Sequence, residues 1–322
     1  MGKTELSIRL AKEVGGEIIN ADSTLVYRFL DVGTAKPTVA ERQGVPHHLI
    51  DILDPNQPFS VAEFCVLARQ VIVQVQSRRH LPILVGGTGL YLKALVEGYE
   101  FAETQADMGF RDYLRRLAQA QGPVALHSRL TQVDPGRAAR IHPHDVKRVI
   151  RALEIHQQLH SPMSQVEAAR APGYEVLFLV LTRPRETLYR RIDQRVLGQI
   201  RAGLVEEVAL LLSRGYDPQL FPLRSLGYKE IIAYLKGLCS LEEAIRLIQR
   251  NTRRLAKRQL TWFKGQKGIT WIEVGENTEE TLAAITRQVE EKWGPLERGL
   301  AHPSSDQLLR KKTGEEEGCL VK

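Results

Sequence analysis

Apolar residues recur along this chain with two periods, and the alternation between them outlines the fold. Leu6, Leu10 and Val14, with Ile8 and Ala11 beside them, repeat at helical spacing. Glu17-Ile18-Ile19-Asn20 then reads as a short buried strand, and His47-His48-Leu49-Ile50-Asp51 as another. Ser60-Val61-Ala62-Glu63 fits a capping box, in which the Ser and Glu side chains satisfy each other's backbone donors, and opens a helix to about Gln76. Leu81-Pro82-Ile83-Leu84-Val85 is almost continuously apolar, the pattern of a parallel strand covered on both faces. From about Glu103 to Ala171 strand signals stop and helical periodicity takes over, studded with Arg111, Arg115, Arg116, Arg129, Arg137 and Arg140. That stretch closes in a helix spanning Ile141 to Glu154. Val176-Leu177-Phe178-Leu179-Val180-Leu181 returns the chain to a sheet, and a helix follows Thr182-Arg183-Pro184-Arg185. Arg224-Ser225-Leu226-Gly227-Tyr228-Lys229-Glu230 begins another helix, and Leu241 to Lys264 forms a long one. Its Ile245, Ile248, Leu255, Leu260 and Phe263 pack on the core, leaving Arg246, Arg250, Arg253, Arg254, Lys257, Arg258 and Lys264 for a phosphate backbone or for solvent. Ile269 to Val274 is the last strand and Thr278 to Trp293 the last helix.

Strands alternating with helices predict an α/β fold: a parallel sheet flanked by helices, interrupted by an all-helical insertion. The divisions fall at residues 1–102 for the first part of the core, 103–171 for the insertion and 172–293 for the rest of the core. The polar tail, 294–322, carries Glu315, Glu316 and Glu317 and reads as disordered. Composition adds little to this picture. Of 322 residues 43% are hydrophobic and 26% charged, ordinary proportions for a globular chain. No apolar run approaches the roughly 18–20 residues of a membrane span, and no leader pattern opens the chain. Cys65, Cys239 and Cys319 are odd in number and far apart, which implies a reducing, cytoplasmic setting and no cysteine zinc site. The net charge of +7 tilts the partner towards a polyanion.

Candidate chemistry gathers at strand ends. Gly2-Lys3-Thr4 matches the closing half of a phosphate-binding P-loop, in which backbone N–H groups and a helix N-terminus cradle phosphate while the Lys adds charge. Asp22 follows the first strand, at the edge where open α/β sheets bind ligands. There it serves either as a base or as a cap for the next turn. Gly86-Gly87-Thr88-Gly89-Leu90-Tyr91 is a second glycine-rich strand-to-helix turn, with a hydroxyl at Thr88. His47 and His48 alternate faces of a strand and read as structural. Lys147, Arg148 and Arg151 cluster on one helix, as a basic binding face or a solvated one.

Taken in order, these motifs resemble one family, the tRNA dimethylallyltransferases, also called tRNA isopentenyltransferases. The resemblance runs from Gly2 to about Gly275. It rests on Gly2-Lys3-Thr4, Ala21-Asp22-Ser23, Asp31-Val32-Gly33-Thr34-Ala35-Lys36-Pro37, the Gly86 to Tyr91 turn, Asp145 to Glu154, and Leu255-Ala256-Lys257-Arg258-Gln259-Leu260-Thr261-Trp262. It implies a P-loop NTPase-like fold and transfer of a dimethylallyl group from dimethylallyl diphosphate to N6 of the adenine at tRNA position 37. In that scheme Asp22 is the base, Thr88 joins it at the reacting centre, Gly2, Lys3 and Thr4 bind the pyrophosphate, and Thr4 helps hold Mg2+. One of Arg190, Arg191 and Arg195 faces the pyrophosphate or the adenine. The resemblance places the tRNA anticodon stem-loop against Asp22, Ser23, Thr24, Leu25, Thr88 and Arg111. It adds Lys147, Arg148, Val149, Ile150 and Arg151, then Arg224, Ser225, Leu226, Gly227, Tyr228 and Lys229. The enzyme is expected to be a cytoplasmic monomer. Members of the family begin with a full strand and G-x-T-x-[ST]-G-K-T, so that strand and the first loop glycine, about a dozen residues, are expected upstream of Met1 in an intact protein with a misassigned start. An adenine-nucleotide prenyltransferase, a P-loop kinase and a non-catalytic tRNA-binding protein share parts of the pattern. The arginine-bearing insertion favours a large RNA substrate over the first two.

Overall fold

The computed structural model describes residues 2–99, 101, 106–159 and 174–294. In chain order these form α1 (Lys3–Val14), β1 (Gly16–Asn20), α2 (Val39–Arg42), β2 (His47–His48), α3 (Val61–Ser77), β3 (Leu81–Val85) and α4 (Gly89–Val96). Then come α5 (Met108–Gln121), α6 (Pro123–Val133), α7 (Pro135–Ala138), α8 (Val146–Leu159) and β4 (Phe178–Thr182). The remainder is α9 (Arg185–Arg201), α10 (Leu204–Ser213), a 3-10 turn (Pro222–Arg224), α11 (Tyr228–Leu235), α12 (Leu241–Lys264), β5 (Ile269–Glu273) and α13 (Thr278–Trp293). Two compact units result, Met1–Leu92 with Glu175–Lys322, and Lys93–Tyr174. The second unit begins ten residues before the Glu103 boundary read from the sequence, because α4 carries the chain across the junction.

All strand pairs of the first unit are parallel. β1 lies between β2 and β3 with Ile18 opposite His47 and Ile83, and β4 pairs with β5 with Val180 opposite Trp271. β1 is buried at all five positions, as a strand with neighbours on both sides should be. β3 is half-buried at all five despite its apolar sequence. The reason is topological: among the described residues β3 and β4 each have a second edge without a ladder partner. A cavity of about 130 Å3 touches both strands, lined by Leu84, Leu179, Leu181, Leu260 and Phe263 and reaching Lys3.

Local chemistry explains the elements that position the site. Ser60 and Glu63 form the capping box expected at the start of α3, with Ser60 N donating to Glu63 at 2.7 Å and Glu63 N to Ser60 Oγ at 3.2 Å. Thr38 and Glu41 repeat the device at α2. The strand expected over His47–Asp51 stops at His48, because Leu49 (φ 59°) and Asp51 (φ 58°) turn left-handed and leave the ladder. The helix expected to begin at Arg224 begins at Tyr228, after a Gly227 with φ 96°. On α12, Ile248, Ala256 and Phe263 are buried, whereas Leu255, expected in the core, is 37% exposed. Residues 295–322, the tail read as disordered, lie outside the described residues. No described helix is long and apolar enough to cross a membrane.

The second unit packs α5, α6 and α8 around Leu114, Leu126, Leu130, Val149 and Leu153. Its buried carboxylate, Glu154, takes a two-pronged contact from Arg111 (2.8 Å at each oxygen), a bond from Arg151 (2.5 Å) and one from the backbone N–H of Asp107 (2.8 Å). Desolvation would otherwise push such a group to its neutral form. The guanidinium groups reverse that and hold its pKa below the usual value.

A similar arrangement staples the first unit at Glu17, at the beginning of β1. Its carboxylate meets Arg78 at 2.7 and 3.0 Å, and His48 and His80 at 2.6 Å each, tying β2 and the α3–β3 turn to the central strand. The hydrogen bond from Arg78, opposed by burial and reinforced by the two histidines, holds Glu17 down at about 2. A depressed carboxylate stabilises the fold above its unfolded value of about 4.5 and loses that contribution as pH falls through its folded value. Glu17→Gln is therefore expected to lower unfolding free energy by about 2–3 kcal/mol near pH 6. The deficit should shrink between pH 4.5 and 2, read by urea unfolding at a series of pH values, and a deficit constant across that window would refute the assignment.

Candidate active site

The site forms where β1 and β3 end. Because they are adjacent, parallel and paired Asn20 to Val85, the segments that follow must leave the sheet side by side. Asn20, almost wholly buried, organises the first of them. Its amide oxygen accepts from Asp22 N at 2.9 Å, and its Nδ2 donates to Asp22 O at 3.1 Å and to Leu49 O at 2.9 Å. Asp22 Oδ1 accepts from the N–H (3.0 Å) and hydroxyl (2.7 Å) of Thr24, an Asx turn that orients the carboxylate and leaves Oδ2 without a hydrogen bond among the described residues. So Asp22 does act as the cap of a turn, with one oxygen only.

The second segment, Gly86–Gly89, is bonded directly to the first. Ala21 N donates to Val85 O (2.9 Å), Thr88 N to Ala21 O (3.3 Å) and Ser23 N to Thr88 Oγ1 (3.1 Å). A Cβ at Gly86 would stand 2.1 Å from the Ala21 carbonyl oxygen, so only glycine permits this crossing. Thr88 is thereby bonded to the residues on either side of Asp22.

Cations complete the rim. Gly2, at φ 85°, precedes α1, and Lys3 reaches the glycine turn, its Nζ 3.4 Å from where a Gly87 Cβ would be. Burial lowers the pKa of Lys3, with Asp22 pulling the other way and Arg195 adding to the fall. Arg195 is likewise lowered by desolvation of its guanidinium and supported by Asp22, although the residue as a whole is exposed. On α9, Arg195 interacts electrostatically with Asp22 and with Lys3. Arg191 acts instead on Arg183, and Arg190 is exposed. Arg183 is a further cation, 6% exposed, fixed by the carbonyls of Val274 (3.1 Å) and Gly275 (2.9 Å) and close to Gly2.

Two residues of the site had a motif but no assigned role. Gln259 Nε2 donates to Gly87 O at 2.9 Å, and the Trp262 ring lies where a Gly89 Cβ would stand, 2.5 Å away. Their i, i+3 spacing puts both on one face of α12, which was the signal available. For a divalent ion the donors are hard oxygens, the exposed Thr4 hydroxyl and the Asp22 carboxylate. No group of three or more His, Cys, Asp or Glu among the described residues forms a protein cage. Hard oxygens of this kind suit a divalent cation that keeps water among its ligands.

Residues expected against tRNA divide by burial. In the first unit Ser23, Thr24, Leu25, Ser225 and Leu226 are half-buried, and Arg224 and Lys229 are exposed. Tyr228 is fully buried, its hydroxyl donating to Glu207 at 2.7 Å, and Gly227 is buried with it. In the helical unit Lys147 and Arg148 are exposed, but Val149 and Ile150 belong to the core. The side chains of Val149, Ile150 and Tyr228 are therefore packing groups. Their helices turn those positions inward. Arg111 and Arg151 are engaged by Glu154.

An IPP transferase family model matches residues 25–266. The chain is 50% identical over 277 residues to the tRNA dimethylallyltransferase of Desulforudis audaxviator (strain MP104C), covering 85% of this chain and 89% of that one. It is 48% identical over 302 residues to the tRNA dimethylallyltransferase of Symbiobacterium thermophilum, covering 92% and 94%. Among solved structures it is similar to the full-length tRNA isopentenylpyrophosphate transferase of Bacillus halodurans, at a TM-score of 0.68 and 42% identity over 90% of this chain and 92% of that one. A eukaryotic dimethylallyltransferase acting on tRNA superposes at a TM-score of 0.77 and 28% identity, over 90% and 76%.

The crossing at Gly86 can be tested against a glycine with room around it. Gly86→Ala is expected to lower unfolding free energy by about 3 kcal/mol through overpacking against backbone. Gly198→Ala, on α9 with nothing within 4 Å of the added Cβ, should be neutral or slightly stabilising. Equal effects of the two in chemical denaturation would contradict the close approach.

Proposed function

The chain belongs to the IPP transferase family, and we propose that it moves a dimethylallyl group from dimethylallyl diphosphate to N6 of the adenine at position 37 of tRNA. Transfer of a dimethylallyl group to adenine in tRNA is the activity of the family. The diphosphate donor, the anticodon stem-loop and the residue roles are our reading. One observation carries it: Asp22, a carboxylate with one oxygen that has no hydrogen bond among the described residues, shares a rim with the Thr88 hydroxyl and with the cations Lys3 and Arg195.

The chemistry asks for that combination. The N6 amine is conjugated to the purine and is a weak nucleophile. Asp22 accepts its proton as the new C–N bond forms at the allylic carbon. The C–O bond to the diphosphate breaks, and its electron pair leaves with pyrophosphate. Lys3, Arg195 and the amides after the loop glycines stabilise the charge that develops there. Thr88 joins the hydrogen bonding at the reacting atoms. Mg2+, held by Thr4 and the diphosphate itself, would supply further neutralisation of the leaving group. The adenine leaves its stack to reach Asp22, as bases in single-stranded loops do, and the product is N6-dimethylallyladenosine. The exposed cations Lys147, Arg148, Arg224 and Lys229 bind the RNA backbone. The odd number and wide spacing of the three cysteines support a cytoplasmic setting, and we read the enzyme as a monomer.

Labelled dimethylallyl diphosphate offered with tRNA, AMP and ATP should label tRNA alone. Asp22→Asn should abolish transfer while tRNA binding, measured by filter retention, persists. Retained turnover in that variant would overturn the base assignment. Replacing Lys147 and Arg148 together with Gln should reduce the salt slope of tRNA binding by about two, and an unaltered slope would leave them as plain surface charges.

A further inference from the structure

Glu207, in α10, belongs to none of the motifs described above, yet its carboxylate is saturated. It accepts from the backbone N–H groups of Asp31 (2.8 Å), Val32 (2.7 Å) and Gly33 (3.1 Å), and from the hydroxyl of Tyr228 (2.7 Å). The same turn is held by its acceptors as well. Gln199 Nε2 donates to the carbonyls of Val32 and Gly33, both at 2.8 Å. The Tyr228 ring closes the third side, 2.4 Å from where a Gly33 Cβ would be. Three side chains thus hold a half-buried turn that joins no sheet. At its end the carbonyl of Thr34 accepts from Arg195 Nη2 at 3.2 Å.

We propose that Glu207 is a positioning residue for the pyrophosphate end of the reaction. It immobilises the Asp31–Thr34 turn, and the turn holds the guanidinium of Arg195 towards Lys3 and Asp22. An arginine projecting from an exposed helix surface carries about 2 kcal/mol of rotamer entropy. A carbonyl selects one rotamer only if the carbonyl itself is fixed, and the carboxylate of Glu207 supplies that fixity through three N–H groups at once. Glutamine cannot replace it. One oxygen of the amide accepts, but its NH2 would confront the N–H of Gly33. The segment from Arg224 to Lys229 is tied to the same carboxylate through Tyr228, so the turn and the start of α11 keep one register.

This inference rests on the proposed reaction, and a binding cycle separates the two. Inorganic pyrophosphate is titrated calorimetrically into the full chain, Glu207→Gln, Arg195→Gln and the double variant, with transfer to tRNA followed in parallel. Glu207→Gln and Arg195→Gln are each expected to weaken pyrophosphate binding by about tenfold, the scale of one charge-assisted hydrogen bond. The double variant should bind no worse than Arg195→Gln alone, because Glu207 acts through Arg195. Losses that multiply, or a Glu207→Gln chain that is less stable to urea yet binds pyrophosphate like the wild type, overturn the proposal and leave the reaction standing. A wild-type chain that neither binds pyrophosphate nor labels tRNA removes both. Should Glu207→Gln fail to fold, Gln199→Ala takes its place in the cycle with the same two outcomes, since it releases α9 from the same turn.

Discussion

The passage of Gly86 over Ala21 is the contact on which the site depends. Two parallel strands in register deliver their C-terminal segments to one point. The space between those segments is smaller than a methyl group. Once the backbone crosses there, Thr88 must bond Ser23, and Asp22 must stand beside the second glycine turn. The catalytic proposal needs no flexible side chain to find its partner, since the backbone has already set the pair. Gln259 and Trp262 then brace the far side of the turn, which ties a long cationic helix to the same rim.

Three carboxylates show how the fold satisfies its acids with donors. Glu17 staples three segments at the beginning of the central strand, Glu154 binds two arginines and an amide in the helical unit, and Glu207 holds a turn and a tyrosine. Each receives as many donors as it has places for. For Glu17 and Glu154, the two that are buried, the desolvation that would neutralise a lone acid is thereby offset. Where each sits decides its consequence. Glu17 lies at the sheet's far end and bears on stability alone, Glu154 takes up Arg111 and Arg151, and Glu207 leads through one carbonyl to Arg195.

The half-buried state of β3 fits the same view of a site organised by strand ends. An apolar parallel strand ordinarily has both edges paired and both faces covered. Here one edge opens on an apolar cavity that ends at Lys3.

Much of this was legible in the residue order. Apolar periodicity located the strands and long helices, because burying one face requires it. The capping box at Ser60 fixed a helix start, because both of its bonds are local. The glycine turns, Asp22 and Lys3 could be named, because phosphate chemistry uses those residue types in those places. Tertiary structure decided the rest. Val149, Ile150 and Tyr228 sit in a basic, motif-bearing context but face inward, and only the packing of their helices determines that direction. Arg195 is separated from Arg190 and Arg191 by helix phase and by the carbonyl of Thr34, which lies 161 residues away along the chain. Glu207 has no local signature at all, since its partners come from two distant segments. Sequence determines what can be read from neighbours within a turn or a strand. Contacts across a hundred or more residues exist only once the core has closed.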